Sequence, residues 1–231
     1  VSPFGRGHVE ADGIRIRYLE AGQGLPLVYL PGADGLHLTP AHELLARRFR
    51  VVALEMPGVG PSPEHTPPAS SPDLATTMAH AAAQLGLETF NLLGASVGGT
   101  TALWLALQRP ERVSALVLEA PVAIRPDGVR STSTPLAQRR DGLDRDPDLD
   151  RRLPELTAPT LVLFGTRDTV VAPEMGRQYT ERMPAAHLVF LYDAGHTIAA
   201  DRPEAFAEVV GDFLERHEAF VISRARTVIH P

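Results

Sequence analysis

Six short apolar runs recur along the chain: "LPLVYL", "RVVALE", "FNLLG", "VSALVLE", "PTLVLFG" and "HLVFLY". Each is too short for a helix and too uniformly apolar for a strand with one wet face. Such runs read as strands buried on both sides, the habit of a parallel sheet. Longer helical patterns separate them. Leu74, Met78, Ala81, Ala82 and Leu85 share one helical face, with Ser71 read as N-cap and Pro72 as a first-turn proline. Phe206, Val209, Val210, Phe213 and Leu214 make a second one-sided stripe after Pro203. The segment from Gly98 to Leu107 is apolar nearly all round and predicts a central buried helix. Leu103, Trp104 and Leu107 are read there as core. Strand alternating with helix predicts an α/β fold, a mostly parallel central sheet with helices on both faces. Two earlier runs, "GHVEA" and "IRIRYLEA", flank Asp12-Gly13 and predict an N-terminal antiparallel hairpin.

At 231 residues the chain suits one α/β domain, 1–231. Its net charge of −6 counts against a nucleic-acid partner. No stretch of roughly 18 apolar residues is present to span a membrane. The first residues, "VSPFGRGHVEADG", lack the apolar core of a signal peptide, and the chain has no cysteine. Both features point to the cytoplasm. The nine histidines show no helical metal-ligand spacing, so no metal is expected.

Two stretches break the rhythm. Residues 122–158 are polar and rich in Arg and Asp, with room for one short helix but no core of their own. They read as a surface excursion, with Arg139, Arg140, Arg151 and Arg152 in a solvated, charge-paired face. The C-terminal tail, 218–231, has no assigned role.

The chemistry centres on "FNLLGASVGGTTALW". A strand runs into Gly94-Ala95-Ser96-Val97-Gly98, and a buried helix follows. A sharp strand-to-helix turn can hold a serine in a strained conformation, with Oγ projecting at the helix N-terminus. Side chains at Gly94 or Gly98 would collide with the adjoining helix or strand. The N–H of Val97 is then free to stabilise an oxyanion. A serine hydroxyl needs a base, and the base needs a carboxylate to fix its tautomer. Both are expected in loops at the C-terminal ends of later strands. "TLVLFG" is followed by "TRDTVVAP", which offers Asp168. "HLVFLY" is followed by "DAGHTIAADRP", which offers His196. The order Ser96, Asp168, His196 goes with this turn.

Together, "VYLPGADG", "ALEMPGVGPS", "LLGASVGG", "GTRDTVVAP" and "AGHTIAADRPEAF" make the chain resemble the α/β-hydrolase superfamily, from about Gly7 to His217. The resemblance implies Ser96 as nucleophile, His196 as general base and then acid, and Asp168 as the orienting carboxylate. It also implies a second oxyanion N–H, at Ala33. Some relatives carry the acid after the sixth strand, which makes Glu119 the alternative. Three departures stand out. Pro31-Gly32 replaces the usual His-Gly, Glu55 replaces an Asp, and 122–158 stands where a helical lid domain is usual. The cap is therefore expected to be much reduced, over a shallow site.

The expected activity is a cofactor-free serine hydrolase cleaving a small ester or a related acyl or carbon–carbon substrate. A non-hydrolytic lyase or perhydrolase could use the same three residues, and a binding protein of this fold is the rival of another class. The expected partner is a small-molecule substrate. A homo-oligomer, with the tail as an arm over a neighbour's site, is the alternative roof. His37 and His65 sit in loops on the same face and read as solvated.

Overall fold

The computed structural model describes residues 3–64, 69–124 and 146–217, and the backbone of one further strand at 227–230. The expectations for His65, Arg139 and Arg140, for most of the polar excursion and for much of the tail fall outside these residues.

Nine strands form one sheet among the described residues, in the order β1-β2-β4-β3-β5-β6-β7-β8-β9. β1 (Gly5–Ala11) and β2 (Ile14–Ala21) form the expected hairpin, with Asp12 and Gly13 both at positive φ in its turn. β2 also runs antiparallel to β4 (Arg50–Leu54). Every other pairing is parallel. The remaining strands are β3 (Pro26–Leu30), β5 (Phe90–Ala95), β6 (Val113–Glu119), β7 (Thr160–Gly165), β8 (Ala186–Leu191) and β9 (Thr227–His230). Each of the six apolar runs holds at least five strand residues; the strand of "FNLLG" runs one residue further, to Ala95, and that of "HLVFLY" starts one residue earlier, at Ala186. β9 was not legible in advance, because its segment has neither strict alternation nor a continuous apolar run.

Side chains alternate along each strand, so the sheet divides the core in two. Val28, Leu30, Leu92, Leu116 and Val162 face α2 (Ser71–Gln84) and α3 (Val97–Gln108). Leu27, Tyr29, Leu93, Ala115 and Val117 face α1 (Pro40–Leu45), α6 (Ile198–Asp201) and α7 (Pro203–Arg216). Two more helices, α4 (Pro147–Arg152) and α5 (Gly176–Arg182), lie between β6 and β8 in the chain. α3 is buried along nearly its whole length, as its all-round apolar pattern requires.

One boundary moves. The N-cap of α2 is Ser70, not Ser71: Ser70 Oγ accepts from the Asp73 N–H, and the Asp73 carboxylate accepts from the Ser70 N–H at 3.1 Å. This reciprocal capping box satisfies two end groups at once, which Ser71 as cap would not allow.

The strand order places the site. From β3 the chain crosses to β4 on one side; from β5 it crosses to β6 on the other. The order reverses between β3 and β5, and the crevice at their C-terminal ends is where ligands bind in such sheets.

Candidate active site

Ser96 closes β5 and N-caps α3 with φ 50° and ψ −117°. Positive φ is costly for a residue with a Cβ and persists only where the surroundings over-determine it. The surroundings here do so. A Cβ on Gly94 would stand 2.7 Å from the Ala102 Cβ and 2.8 Å from the Gly98 carbonyl oxygen. One on Gly98 would stand 2.3 Å from the Leu30 oxygen and 2.4 Å from the Pro31 oxygen. Strand, turn and helix meet so closely that only glycine fits at either side.

Three side chains from three loops converge at this turn. His196 Nε2 lies 3.0 Å from Ser96 Oγ, and His196 Nδ1 lies 2.9 Å from Asp168 Oδ2. A carboxylate only accepts, so Nδ1 carries the proton and Nε2 is left to accept from the serine hydroxyl. The other oxygen of Asp168 accepts the N–H groups of Val170 and Val171 at 2.8 and 2.9 Å. Its side chain is fully buried, while that of His196 is 22% exposed, so the imidazole can be reached from outside and the carboxylate cannot. The loops are fixed to each other by the Arg167 N–H donating to the Ala194 carbonyl at 2.8 Å. A Cβ on Gly165 would collide with the carbonyls of Ala194 and Gly195.

Val97 opens α3, so its N–H belongs to the first turn, where no partner exists within the helix. The loop after β3 packs on the same turn: a Cβ on Gly32 would lie 3.4 Å from the Ser96 Cβ. That brings Ala33, half-buried, to the vicinity of the serine. His37 is exposed in the same loop.

Glu119, the alternative acid, makes a different hydrogen bond. His196 takes Asp168, and the Glu119 carboxylate instead accepts the Ala199 N–H at 2.8 Å. Glu119 follows Ala115 and Val117 in the alternation of β6, which turns it to the α6 side of the sheet. Burial pushes its carboxyl up to about 7; the Ala199 amide, the His196 charge and the Ile198 amide oppose that rise, while Asp201 adds to it. Burial also raises the phenol of nearby Tyr29, helped by the charges of Glu119 and Asp34.

Glu55, standing where an Asp is usual, is fully buried. It accepts from Arg17 Nε at 3.1 Å and from the Ser62 N–H and hydroxyl at 2.9 and 2.6 Å. It therefore ties the loop after β4 to the hairpin. Among the described residues, no group of three or more His, Asp or Glu side chains could hold a metal ion.

A family profile described as alpha/beta hydrolase fold matches residues 26–140, and one described as TAP-like protein matches residues 138–219. The chain belongs to the α/β-hydrolase superfamily. It is 25% identical to the 2-hydroxy-6-oxo-6-(2'-aminophenyl)hexa-2,4-dienoic acid hydrolase of Metapseudomonas resinovorans, over 90% of each chain. It is 27% identical to the N-formylmaleamate deformylase of Pseudomonas putida, over 90% of this chain and 96% of that one. A meta-cleavage product hydrolase from Pseudomonas fluorescens superposes with a TM-score of 0.77 at 20% identity, covering 92% of this chain and 98% of the other. With hydrolases as its relatives across nearly its full length, this α/β-hydrolase is an enzyme. No helix among the described residues is long and apolar enough to cross a membrane.

Proposed function

We propose that this α/β-hydrolase is a cofactor-free serine hydrolase that attacks the carbonyl of a small ester or of a related acyl or carbon–carbon substrate. The observation that carries the reading is the unbroken hydrogen-bonded sequence from Ser96 through His196 to Asp168. Ser96 Oγ adds to the carbonyl carbon as its proton passes to His196 Nε2. The N–H groups of Val97 and Ala33 hold the oxyanion. Collapse of the tetrahedral species expels the leaving group, which takes the proton from His196 and leaves Ser96 acylated. A water molecule, losing a proton to the same nitrogen, then releases the acid and restores Ser96.

The relatives bear on which bond is cleaved. One is named for hydrolysing an acid with a ketone at carbon 6, and hydrolysis of a ketone must break a carbon–carbon bond. Another removes an N-formyl group, which breaks a carbon–nitrogen bond. Either bond can be broken after attack on a carbonyl, the step that Ser96 and its donors would serve. The same geometry counts against a purely binding role, which would not need a strained serine in contact with a base.

A fluorophosphonate probe tests this reading. We expect stoichiometric labelling of Ser96, loss of labelling in Ser96→Ala, and turnover of at least one substrate in a panel of p-nitrophenyl esters, lactones and vinylogous ketones. A wild-type protein that the probe leaves unmodified would remove the nucleophile from the account.

A further inference from the structure

Glu119 is a buried carboxylate that this mechanism leaves unused, and it touches both halves of the site. Its main-chain oxygen accepts the Ser96 N–H at 2.9 Å, and its side-chain Oε1 accepts the Ala199 N–H at 2.8 Å. Ala199 lies in the first turn of α6, which begins two residues after His196. One residue thus grips the nucleophile's backbone with one group and the segment that carries the imidazole with another. We propose that Glu119 is a positioning residue for His196, whose ionised carboxylate fixes the start of α6 and supplies the imidazolium with a second anion beside Asp168. The proposal rests on His196 acting as the base.

A mere peg would not need a charge. A neutral oxygen could accept the Ala199 N–H, whereas burying a carboxylate costs several kcal/mol. Glu119 is only 3% exposed, so water cannot screen it. An anion in such surroundings acts strongly on a neighbouring charge, and the imidazole becomes a cation as it takes the serine proton. Four titratable groups face this carboxylate or act on it through a neighbour: His196 from the loop after β8, Asp201 from α6, Tyr29 from β3, and Asp168 through His196. Of these only His196 becomes positive, so it is the group that the Glu119 charge favours. The carboxyl, pushed up to about 7, changes charge in the same pH range over which a histidine base is switched on.

Glu119→Gln separates charge from shape, since the amide oxygen can still accept the Ala199 N–H. The rate of Ser96 labelling by a fluorophosphonate, followed from pH 5 to 9, reads the activated hydroxyl without any knowledge of the substrate. We expect Glu119→Gln to fold and to label Ser96 about tenfold more slowly on the plateau, with the midpoint about one pH unit lower, the size of one unit of charge coupling. Unchanged plateau and midpoint would reduce Glu119 to a structural acceptor and overturn the proposal. If Glu119→Gln does not fold, the His196 imidazole resonance of the wild-type protein decides. Two coupled ionisations are expected, and a single step overturns the proposal. Failure of the underlying mechanism has a different signature, a wild-type Ser96 that does not label at any pH.

Discussion

Asp168 and Glu119 are two buried carboxylates near one imidazole, and substitution should separate their duties. Asp168 accepts the Nδ1 proton, so Asp168→Asn presents the wrong partner to the ring and should lower kcat by about 10⁴-fold. Glu119→Gln should cost far less. If steady-state kinetics gave the reverse ranking, the acid would belong to β6 after all. Gly98→Ala makes a different residue-scale test. Its new Cβ would stand 2.3 Å from the Leu30 main-chain oxygen, so β3 or the start of α3 must move. The variant should lose thermal stability and Ser96 labelling together. That Ser96, Asp168 and His196 would meet was legible because each ends or follows an apolar run whose strand character is plain. The duty of Glu119 was not, because its partner is a main-chain N–H 80 positions away, in a four-residue helix too short for periodicity to reveal.

At the scale of elements, α4 returns the chain from the excursion to the sheet, docked by Trp104 at its start and by the Arg182–Asp150 ion pair at 2.8 Å along its length. Trp104 Nε1 donates to Asp146 Oδ2 at 2.7 Å, while Asp146 Oδ1 caps α4 by accepting from the N–H groups of Asp148 and Leu149. Arg152 lies over the Trp104 ring, 5.4 Å from its centre, and Leu149 is buried beneath the helix. Trp104→Phe keeps an aromatic body and removes the N–H. A hydrogen bond to a charged group contributes about 1.5–3 kcal/mol, so a loss of that size is expected in chemical denaturation, with faster amide exchange confined to α4. An unchanged denaturation midpoint would show that α4 is held without this bond, by its apolar contacts and the Arg182–Asp150 ion pair. Among the described residues α4 is a short helix of the kind the sequence allowed in this stretch, and Trp104 is buried as read. What the sequence lacked was the link between them, since nothing in a polar segment marks one Asp among many as a dock. Arg151 and Arg152 pair with Asp148 and Glu155 on the outside, as their interleaved charges suggested.

For the whole molecule, two buried groups set opposing pH dependences. Glu119 binds its proton more tightly folded, at about 7 against an ordinary 4.5. Its contribution to stability is complete below about 4.5 and is lost as pH rises through 7. His42 is buried in α1, and burial lowers it to about 4 from an ordinary 6.5, against a smaller opposing contribution from the Thr39 backbone. Its contribution is complete above 6.5 and is lost as pH falls through 4. Each amounts to something on the order of 3 kcal/mol, and between pH 4.5 and 6.5 they oppose each other. Glu119→Gln should therefore make stability climb more steeply with pH across that window, and His42→Phe should tilt it the other way. Urea denaturation at half-unit intervals from pH 4 to 8 reads both slopes; identical slopes in the wild type and the two variants would contradict this balance. The overall architecture was the most legible feature of all, because six buried strands announce a parallel sheet without reference to any single contact.

Two aromatic side chains hold described residues on either side of positions 125–145. The Tyr179 hydroxyl donates to the Pro121 carbonyl at 3.1 Å and accepts the Ile124 N–H at 3.0 Å; Trp104 holds Asp146 at the other end. Neither belongs to the hydrogen-bonded sequence that ends at Ser96. A chain fixed at both ends by posts outside the reacting groups has a natural boundary for recombination. The loops that carry Ser96, Asp168 and His196 lie outside that interval, so a graft there would leave their hydrogen bonds unbroken.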